Sequence, residues 1–276
     1  MGNLRGIPHN FVFGDLLDAD AVKTFFLKGK LDYVVHLAAV GSVPRSIENP
    51  RLSFENNAQA TLNVLEACKL QELPILFSSS SSVYGKNPKM PKKETDWLAP
   101  MSPYAASKLS AEGMCQAYRE SYQMNINVFR LFNVYGPKQN WKGAYAAVIP
   151  KWITAAENSE PIVVYGDGEQ KRDFTYIKDV VQTFKAVITS QTCLQSPINL
   201  AFGKPISLNG ILNIFSERYK NIKIEFQPKR TGDILHSEAD TSLLRASEVM
   251  PANITTIQQG LDETIKWYNS RIIGNN

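Results

Sequence analysis

The stretch Pro74-Ile75-Leu76-Phe77 runs directly into five serines, Ser78 to Ser82, and then into Val83-Tyr84-Gly85. An apolar strand that ends in hydroxyls carries polar groups at its carboxyl end, where open α/β sheets bind their ligands. A flexible serine linker would not follow Ile75-Leu76-Phe77 or precede Val83-Tyr84-Gly85. The junction is therefore expected at the rim of a sheet.

Downstream, Ser102-Pro103-Tyr104-Ala105-Ala106-Ser107-Lys108 opens a helix. Residues i and i+4 share a helix face, so Lys108 is expected beside Tyr104, its ammonium near the phenol and favouring the phenolate. A tyrosine so activated is a general base, and a serine hydroxyl can share its proton with a sugar hydroxyl. The pattern Tyr-x-x-x-Lys is weak alone, since Tyr219-Lys220-Asn221-Ile222-Lys223 repeats it. That copy follows no serine-ended strand, spans a helix end and the next strand, and reads as solvated surface.

Around these stretches strands and helices alternate. A short strand is expected at Phe11-Val12-Phe13, a helix over 18–28, a strand over 31–37 ending in Ala38-Ala39, and a helix over 50–70. The tyrosine helix runs over 104–123, and a strand over 127–132 leads into Asn133-Val134-Tyr135-Gly136-Pro137. Helices then follow at 146–157, 178–189, 208–219, 241–249 and 256–268, with strands at 162–165, 197–200 and 222–226. This order argues for a parallel α/β sheet.

With 276 residues, 43% hydrophobic and 20% charged, the chain can bury a substantial core in one large or two small domains. A net charge of +4 without a long basic run argues against nucleic acid. Lys89-Met90-Pro91-Lys92-Lys93 reads as a solvated turn. Cys68, Cys115 and Cys193 are odd in number and widely spaced, as packed thiols in a reducing compartment are, and they suggest neither disulfides nor a metal site. No apolar stretch approaches the ~20 residues of a membrane span and the start has no signal-peptide pattern. A cytoplasmic protein without a membrane partner is expected.

The motifs taken together resemble the extended short-chain dehydrogenase/reductase superfamily, and within it the UDP-hexose 4-epimerases, most closely the UDP-N-acetylglucosamine 4-epimerases. They are Gly14-Asp15-Leu16, His36-Leu37-Ala38-Ala39, Gly41-Ser42-Val43-Pro44-Arg45-Ser46, the serine run, Tyr104-x-x-x-Lys108, Phe132-Asn133-Val134-Tyr135-Gly136-Pro137, residues 143–150, residues 168–174, and Gly232-Asp233 with His236-Ser237. The resemblance implies a Rossmann-like doubly wound parallel sheet with a smaller mixed α/β substrate-binding domain. The cofactor domain would take residues 1–135 plus about 170–200, and the substrate domain about 136–169 plus 201–276.

The resemblance further implies that Tyr104 removes the proton of the sugar 4-hydroxyl while the C4 hydride passes to NAD, that Lys108 holds the nicotinamide ribose, and that Ser80 shares the proton. Asp15, Leu16, Leu37, Ala38, Ala39, Asn57, Ser78, Phe132 and Val134 would line or support the cofactor, although helix capping competes as the role of Asp15. Gly41, Ser42, Val43, Ser79, Ser80 and Ser81 would line the sugar pocket. Asn133, Arg172 and Arg230 would meet the UDP phosphates, a planar fork suiting phosphate oxygens; for the arginines a surface ion pair competes. Asp233 would accept from a ribose hydroxyl, and Tyr165, Ala147 and Val148 would enclose the uracil. His36 reads as a packed strand histidine.

Sugar-nucleotide dehydratases of the superfamily place Asp-Glu after the catalytic threonine, because eliminating water needs a further acid and base; here Ser81 and Ser82 hold those positions. Ser237 resembles the gate beside the sugar C2 substituent, where a small residue admits an N-acetyl group. UDP-GlcNAc and UDP-GalNAc are thus the expected substrates, with UDP-glucose and UDP-galactose secondary. The resemblance also implies a homodimer through a helix bundle of residues 50–70 and 104–123. One departure stands out: the strand, Gly-x-x-Gly-x-x-Gly turn and helix of the superfamily, a unit of ~30 residues, are expected to be absent, weakening the cradle for the NAD pyrophosphate. A fragment that only binds UDP-sugars or partners is the runner-up.

Overall fold

The computed structural model describes residues 2–4, 6–141, 146–229 and 236–272. Its centre is a four-stranded parallel sheet of β1 (Val34–His36), β2 (Ile75–Ser80), β3 (Ile126–Leu131) and, after four strands outside it, β8 (Ile198–Leu200), in the order β1-β2-β3-β8. Parallel neighbours need crossover helices. These are α2 (Val43–Glu48), α3 (Pro50–Phe54), α4 (Ala60–Leu70), α5 (Pro103–Tyr122) and, towards β8, α7 (Ile177–Ser190), while α1 (Ala19–Lys28) precedes β1 and packs on α4.

The two-residue period of the strands decides which helix each side chain meets. Ile75 and Phe77 of β2 and Ile126 and Val128 of β3 pack with Val64, Leu65 and Cys68 of α4 and Ala111 and Cys115 of α5. Leu76 and Phe129 point the other way, towards Val180, Phe184 and Val187 of α7. Each such fully buried side chain contributes about 1.5–3 kcal/mol, and the sheet is covered on both faces.

The second core joins α6 (Val148–Glu157), β5 (Ile162–Tyr165), α8 (Leu208–Ser216) and α10 (Ile257–Ile272) through Trp152, Ile153, Ile162, Phe215, Leu261 and Tyr268. Short strands surround it. β4 (Val134–Tyr135) pairs with β7 (Thr175–Tyr176), β5 with β10 (Ile224–Gln227), and β6 (Lys171–Asp173) lies between β9 (Pro205–Ser207) and β11 (His236–Ser237). A last short helix, α9 (Ser242–Ala246), lies against β8. Within the described residues no helix is long and apolar enough to cross a membrane.

Several expectations change. Phe11-Val12-Phe13 forms no strand, and Phe13 is 93% exposed; the segment pairs with none of the four sheets, so its apolar residues have no ladder to order them. The expected helix over 50–70 is interrupted by a π-helical turn, Glu55–Gln59. Helix α2 and the short strands β4, β6, β7, β9 and β11 were not anticipated, being too short to show a period. Lys92 is buried rather than solvated, its ammonium donating to the Asn87 carbonyl. Tyr219 is half-buried, its ring stacked on Phe215 at 5.8 Å, because the turn after α8 folds back over the second core. Cys68 and Cys115 are buried thiols, but Cys193 is exposed.

Candidate active site

Helix α5 begins where the sequence says it should. Ser102 caps it by accepting from the Ala105 amide at 3.1 Å, and Pro103 fills the first turn, where no amide donor is needed. This start fixes Tyr104, Lys108 and Glu112 at successive i+4 positions facing β2.

Each of the three meets a different serine of β2. Burial raises the pKa of the Tyr104 phenol and nearby Ser80 lowers it, burial being the stronger, so the net shift is upward. Lys108 donates to the Ser78 carbonyl at 2.6 Å and lies over the Phe77 ring at 4.8 Å. Burial pushes its pKa down to about 8. Glu112 accepts from the Ser79 hydroxyl at 2.6 Å. The expectation that Lys108 holds the phenol pKa down is therefore corrected: the cation is spent on a carbonyl, and the hydroxyl of Ser80 takes that role.

The turn after β2 is equally constrained. Ser80 accepts from the Ser82 amide at 3.2 Å and from the Ser82 hydroxyl at 2.9 Å. Gly85 closes the turn at φ +50°, where an added Cβ would stand 1.7 Å from the Ala99 carbonyl oxygen. Only glycine fits there.

Around the carboxyl end of β1 lies a cleft of about 450 Å³ lined by Phe13, Gly14, Asp15, Leu16, Ala38, Ala39, Val40, Asn56 and Ala60. Asn57 supports its Val40 wall from behind, accepting from the Val40 amide at 2.7 Å and donating to the Ser107 hydroxyl at 2.9 Å. The π-helical turn directs Asn57 inward, a frequent use of such turns at functional sites. Asp15 accepts from the Leu17 amide at 2.9 Å, and the cap of α1 is Asp18 instead, accepting from the Ala21 amide. Leu37 is exposed beside this cleft. The small Ala38 and Ala39 and the apolar walls fit the adenosine side of a dinucleotide. Among the described residues no glycine turn joins a strand to a helix there, so they do not form a pyrophosphate cradle.

A second cleft, about 180 Å³, is lined by Asn133, Val148, Trp152, Val163, Tyr165, Gln170, Arg172, Phe174 and Leu208. Four residues expected from scattered motifs thus converge: Asn133, Val148, Tyr165 and Arg172. Asn133 adopts φ +35° and donates to the Asp173 carbonyl at 3.0 Å, a conformation that asparagine tolerates. Ser237 is the strand partner of Arg172, which sets the expected gate residue beside the expected phosphate residue. Ala147 is exposed and caps α6.

Other placements differ. Ser79 buries its hydroxyl on Glu112 and is 2% exposed; the alternation that sends Phe77 towards α5 sends Ser79 there too, away from the sugar side. Phe132 is fully buried against Tyr84, filling the core beneath the site rather than touching a cofactor. Val134 is half-buried in β4. Gly41 lies in the loop after β1, Ser42 caps α2 and Val43 opens it, and Ser81 starts the 3-10 turn that follows β2. His36 is buried and paired with the Thr61 hydroxyl at 2.9 Å; burial first and then the Lys108 charge push its pKa down to about 4. Arg230 and Asp233 lie outside the described residues. Glu112, Arg130, Asn56 and Trp152 went unnoticed in the sequence; for Glu112 the signal was its i+4 spacing from Lys108.

A covered parallel sheet with a tyrosine, lysine and serine gathered at its strand ends, beside one adenosine-sized cleft and one lined by an arginine, defines a nucleotide-dependent α/β enzyme class. The model of the NAD dependent epimerase/dehydratase family matches residues 2–201, and the chain belongs to that family. It is 40% identical to the UDP-N-acetylglucosamine 4-epimerase of Methanobrevibacter ruminantium M1, solved with UDP-N-acetylmuramic acid, over 94% of this chain and 83% of that one, with a TM-score of 0.87. It is 35% identical to the UDP-glucuronate 4-epimerase of Thermodesulfobacterium geofontis, over 94% of this chain and 79% of that protein. TunA, a NAD-dependent NDP-hexosamine 5,6-dehydratase of tunicamycin biosynthesis, is 29% identical, over 98% of this chain and 88% of its own, with a TM-score of 0.84.

Proposed function

We propose that this chain inverts C4 of UDP-N-acetylhexosamines, interconverting UDP-GlcNAc and UDP-GalNAc, with UDP-glucose and UDP-galactose as secondary substrates. The observation that carries the reading is the placing of Tyr104 and Lys108 one turn apart on α5 against the serine end of β2, where Lys108 donates to the Ser78 carbonyl and Ser80 acts on the Tyr104 phenol. Tyr104 accepts the proton of the 4-hydroxyl, and Ser80, near the phenol, passes it along or returns it. NAD, when bound, supplies the redox chemistry by accepting the C4 hydride and giving it back. Ala38, Ala39, Asp15, Leu16 and Asn57 would hold it, with Lys108 at its ribose.

The substrate half of the site must bind the nucleotide firmly while letting a 4-keto sugar turn over between its two faces. Asn133 and Arg172 suit the diphosphate, and Tyr165 and Val148 the uracil. Ser237, beside Arg172, leaves room for a C2 acetamido group. The relative solved with an N-acetylated sugar nucleotide supports the same class. Dehydration is the less favoured reading. The side chains after Ser80 are hydroxyls, and Ser82 is engaged by Ser80, so neither position supplies a carboxylic acid for elimination. A homodimer through α4 and α5 fits the exposed Leu70 and Tyr122.

Incubation of the chain with UDP-GlcNAc and NAD, read by proton NMR of the anomeric region, tests the proposal. It predicts growth of UDP-GalNAc to an equilibrium mixture. A 4-keto-6-deoxy or 5,6-unsaturated product, or none from any UDP-hexose, would contradict it.

A further inference from the structure

Glu112 and Arg130 form a buried ion pair directly beneath the serine run. Arg130 donates to Glu112 at 2.5 Å from Nη2 and 3.2 Å from Nε, and the two side chains are 0% and 3% exposed. Arg130 is the strand partner of Ser79, so both point to the α5 side of the sheet, where Glu112 waits at the i+4 position after Lys108. Besides bonds to the Glu94 carbonyl and to Gln116, the pair reaches the chain on both sides of Ser80. Before it, Ser79 donates to Glu112 at 2.6 Å. After it, Tyr84 accepts from Arg130 at 2.9 Å and donates to Asn199 at 2.7 Å.

We infer that the Glu112–Arg130 pair is a positioning device for the Ser80–Tyr104 proton pair, gripping the chain on both sides of Ser80 and fixing it to the helix that carries Tyr104. The inference rests on the proposed function for the meaning of that pair, but its geometry does not. Stability does not account for the ion pair. Removing two charges from water costs several kcal/mol each, and an apolar pair of the same volume is often as stable or more so. What an apolar pair lacks is direction. Hydrogen bonds to Ser79 and Tyr84 fix β2 and the following turn in register with α5. Consecutive α5 residues of one face, Tyr104, Lys108 and Glu112, then hold Ser80, Ser78 and Ser79, so that Ser80 cannot slide along Tyr104.

The test uses Ser79→Ala combined with Tyr84→Phe, which removes both grips without opening a large cavity and leaves the ion pair in place. The expected result is a kcat lower by on the order of 10²-fold, as for a small misplacement of reacting groups, with an unchanged KM for the UDP-sugar, and recovery of most of the loss when position 79 carries threonine instead of alanine. A second readout needs no turnover: the Tyr104 phenol, followed by 13C NMR of labelled tyrosine and assigned with Tyr104→Phe, titrates higher in the double variant than in the unmodified chain. A lower Tm with unchanged kcat and an unchanged phenol titration would overturn the inference. If the unmodified chain turns over no UDP-sugar, the phenol titration alone decides: a shift upholds the positioning role while the proposed function fails, and no shift rejects the positioning role as well.

Discussion

Lys108 donates to the Ser78 carbonyl at 2.6 Å, while Ser80, two residues on, lowers the pKa of the Tyr104 phenol one turn earlier in α5. The lysine thus braces the strand that presents the serine, and the serine in turn tunes the base. A cation in this position is held at a cost, because burial has pushed its pKa down to about 8.

That cost predicts how Lys108→Met behaves. The folded pKa lies below the unfolded value of 10.5, so the unfolded chain binds more protons between the two, and this group's contribution to stability rises with pH across that window. The penalty at neutral pH is at most about 3 kcal/mol, from 1.36 kcal/mol per unit, against about 1–3 kcal/mol for the lost bond to a carbonyl. Lys108→Met is expected to unfold within about 1 kcal/mol of the unmodified chain while losing NAD affinity. Urea melts between pH 7 and 10 and a cofactor titration check both.

His36 makes the opposite end of the pH range informative. Its folded pKa of about 4 lies below the ordinary histidine value of 6.5, so the unfolded chain gains a proton first on acidification. Stability from this group is full above pH 6.5 and is lost as pH falls towards 4, by about 3 kcal/mol in all. His36→Gln should flatten that part of the stability profile measured by chemical denaturation.

Ser237→Tyr addresses substrate choice. A phenol ring beside Arg172 would fill the space assigned to the acetamido group. The expected outcome is a loss of about 10–200-fold in kcat/KM for UDP-GlcNAc with UDP-glucose turnover retained, measured with the two substrates side by side. Equal losses for both would remove Ser237 from the specificity argument.

Gly85→Ala probes the turn that follows the serines. The added methyl meets the Ala99 carbonyl oxygen at 1.7 Å and the backbone keeps a positive φ, so a destabilisation of at least about 1–3 kcal/mol is expected. Thermal unfolding monitored by circular dichroism would show it.

Much of this was legible in the sequence because the informative residues are backbone-determined. Ser102-Pro103 caps and starts α5 as its residue types require, and β2 ends in the serines as the apolar run implies. Asn133, Tyr165 and Arg172 converge although they lie far apart in sequence, a gathering that came from the family resemblance and not from spacing. What failed had local causes. Spacing alone suggested that Lys108 would act on Tyr104, but helical spacing fixes only the face; the nearest acceptor, the Ser78 carbonyl, decides where an ammonium goes. Strand alternation from Phe77 would have sent Ser79 inward had it been applied past the apolar residues. The Phe11–Val12–Phe13 segment has a strand's composition, and composition cannot supply the neighbouring ladder.

The central claim is that C4 is oxidised and reduced again within one site, with Tyr104 as the base. UDP-GlcNAc carrying deuterium at C4 tests it most directly, incubated with NAD and either the unmodified chain or Tyr104→Phe. The account predicts UDP-GalNAc with the deuterium retained at C4, and a rate lower by about 10²–10⁴-fold in the variant. Deuterium exchanged with solvent, or conversion unaffected by Tyr104→Phe, would contradict it.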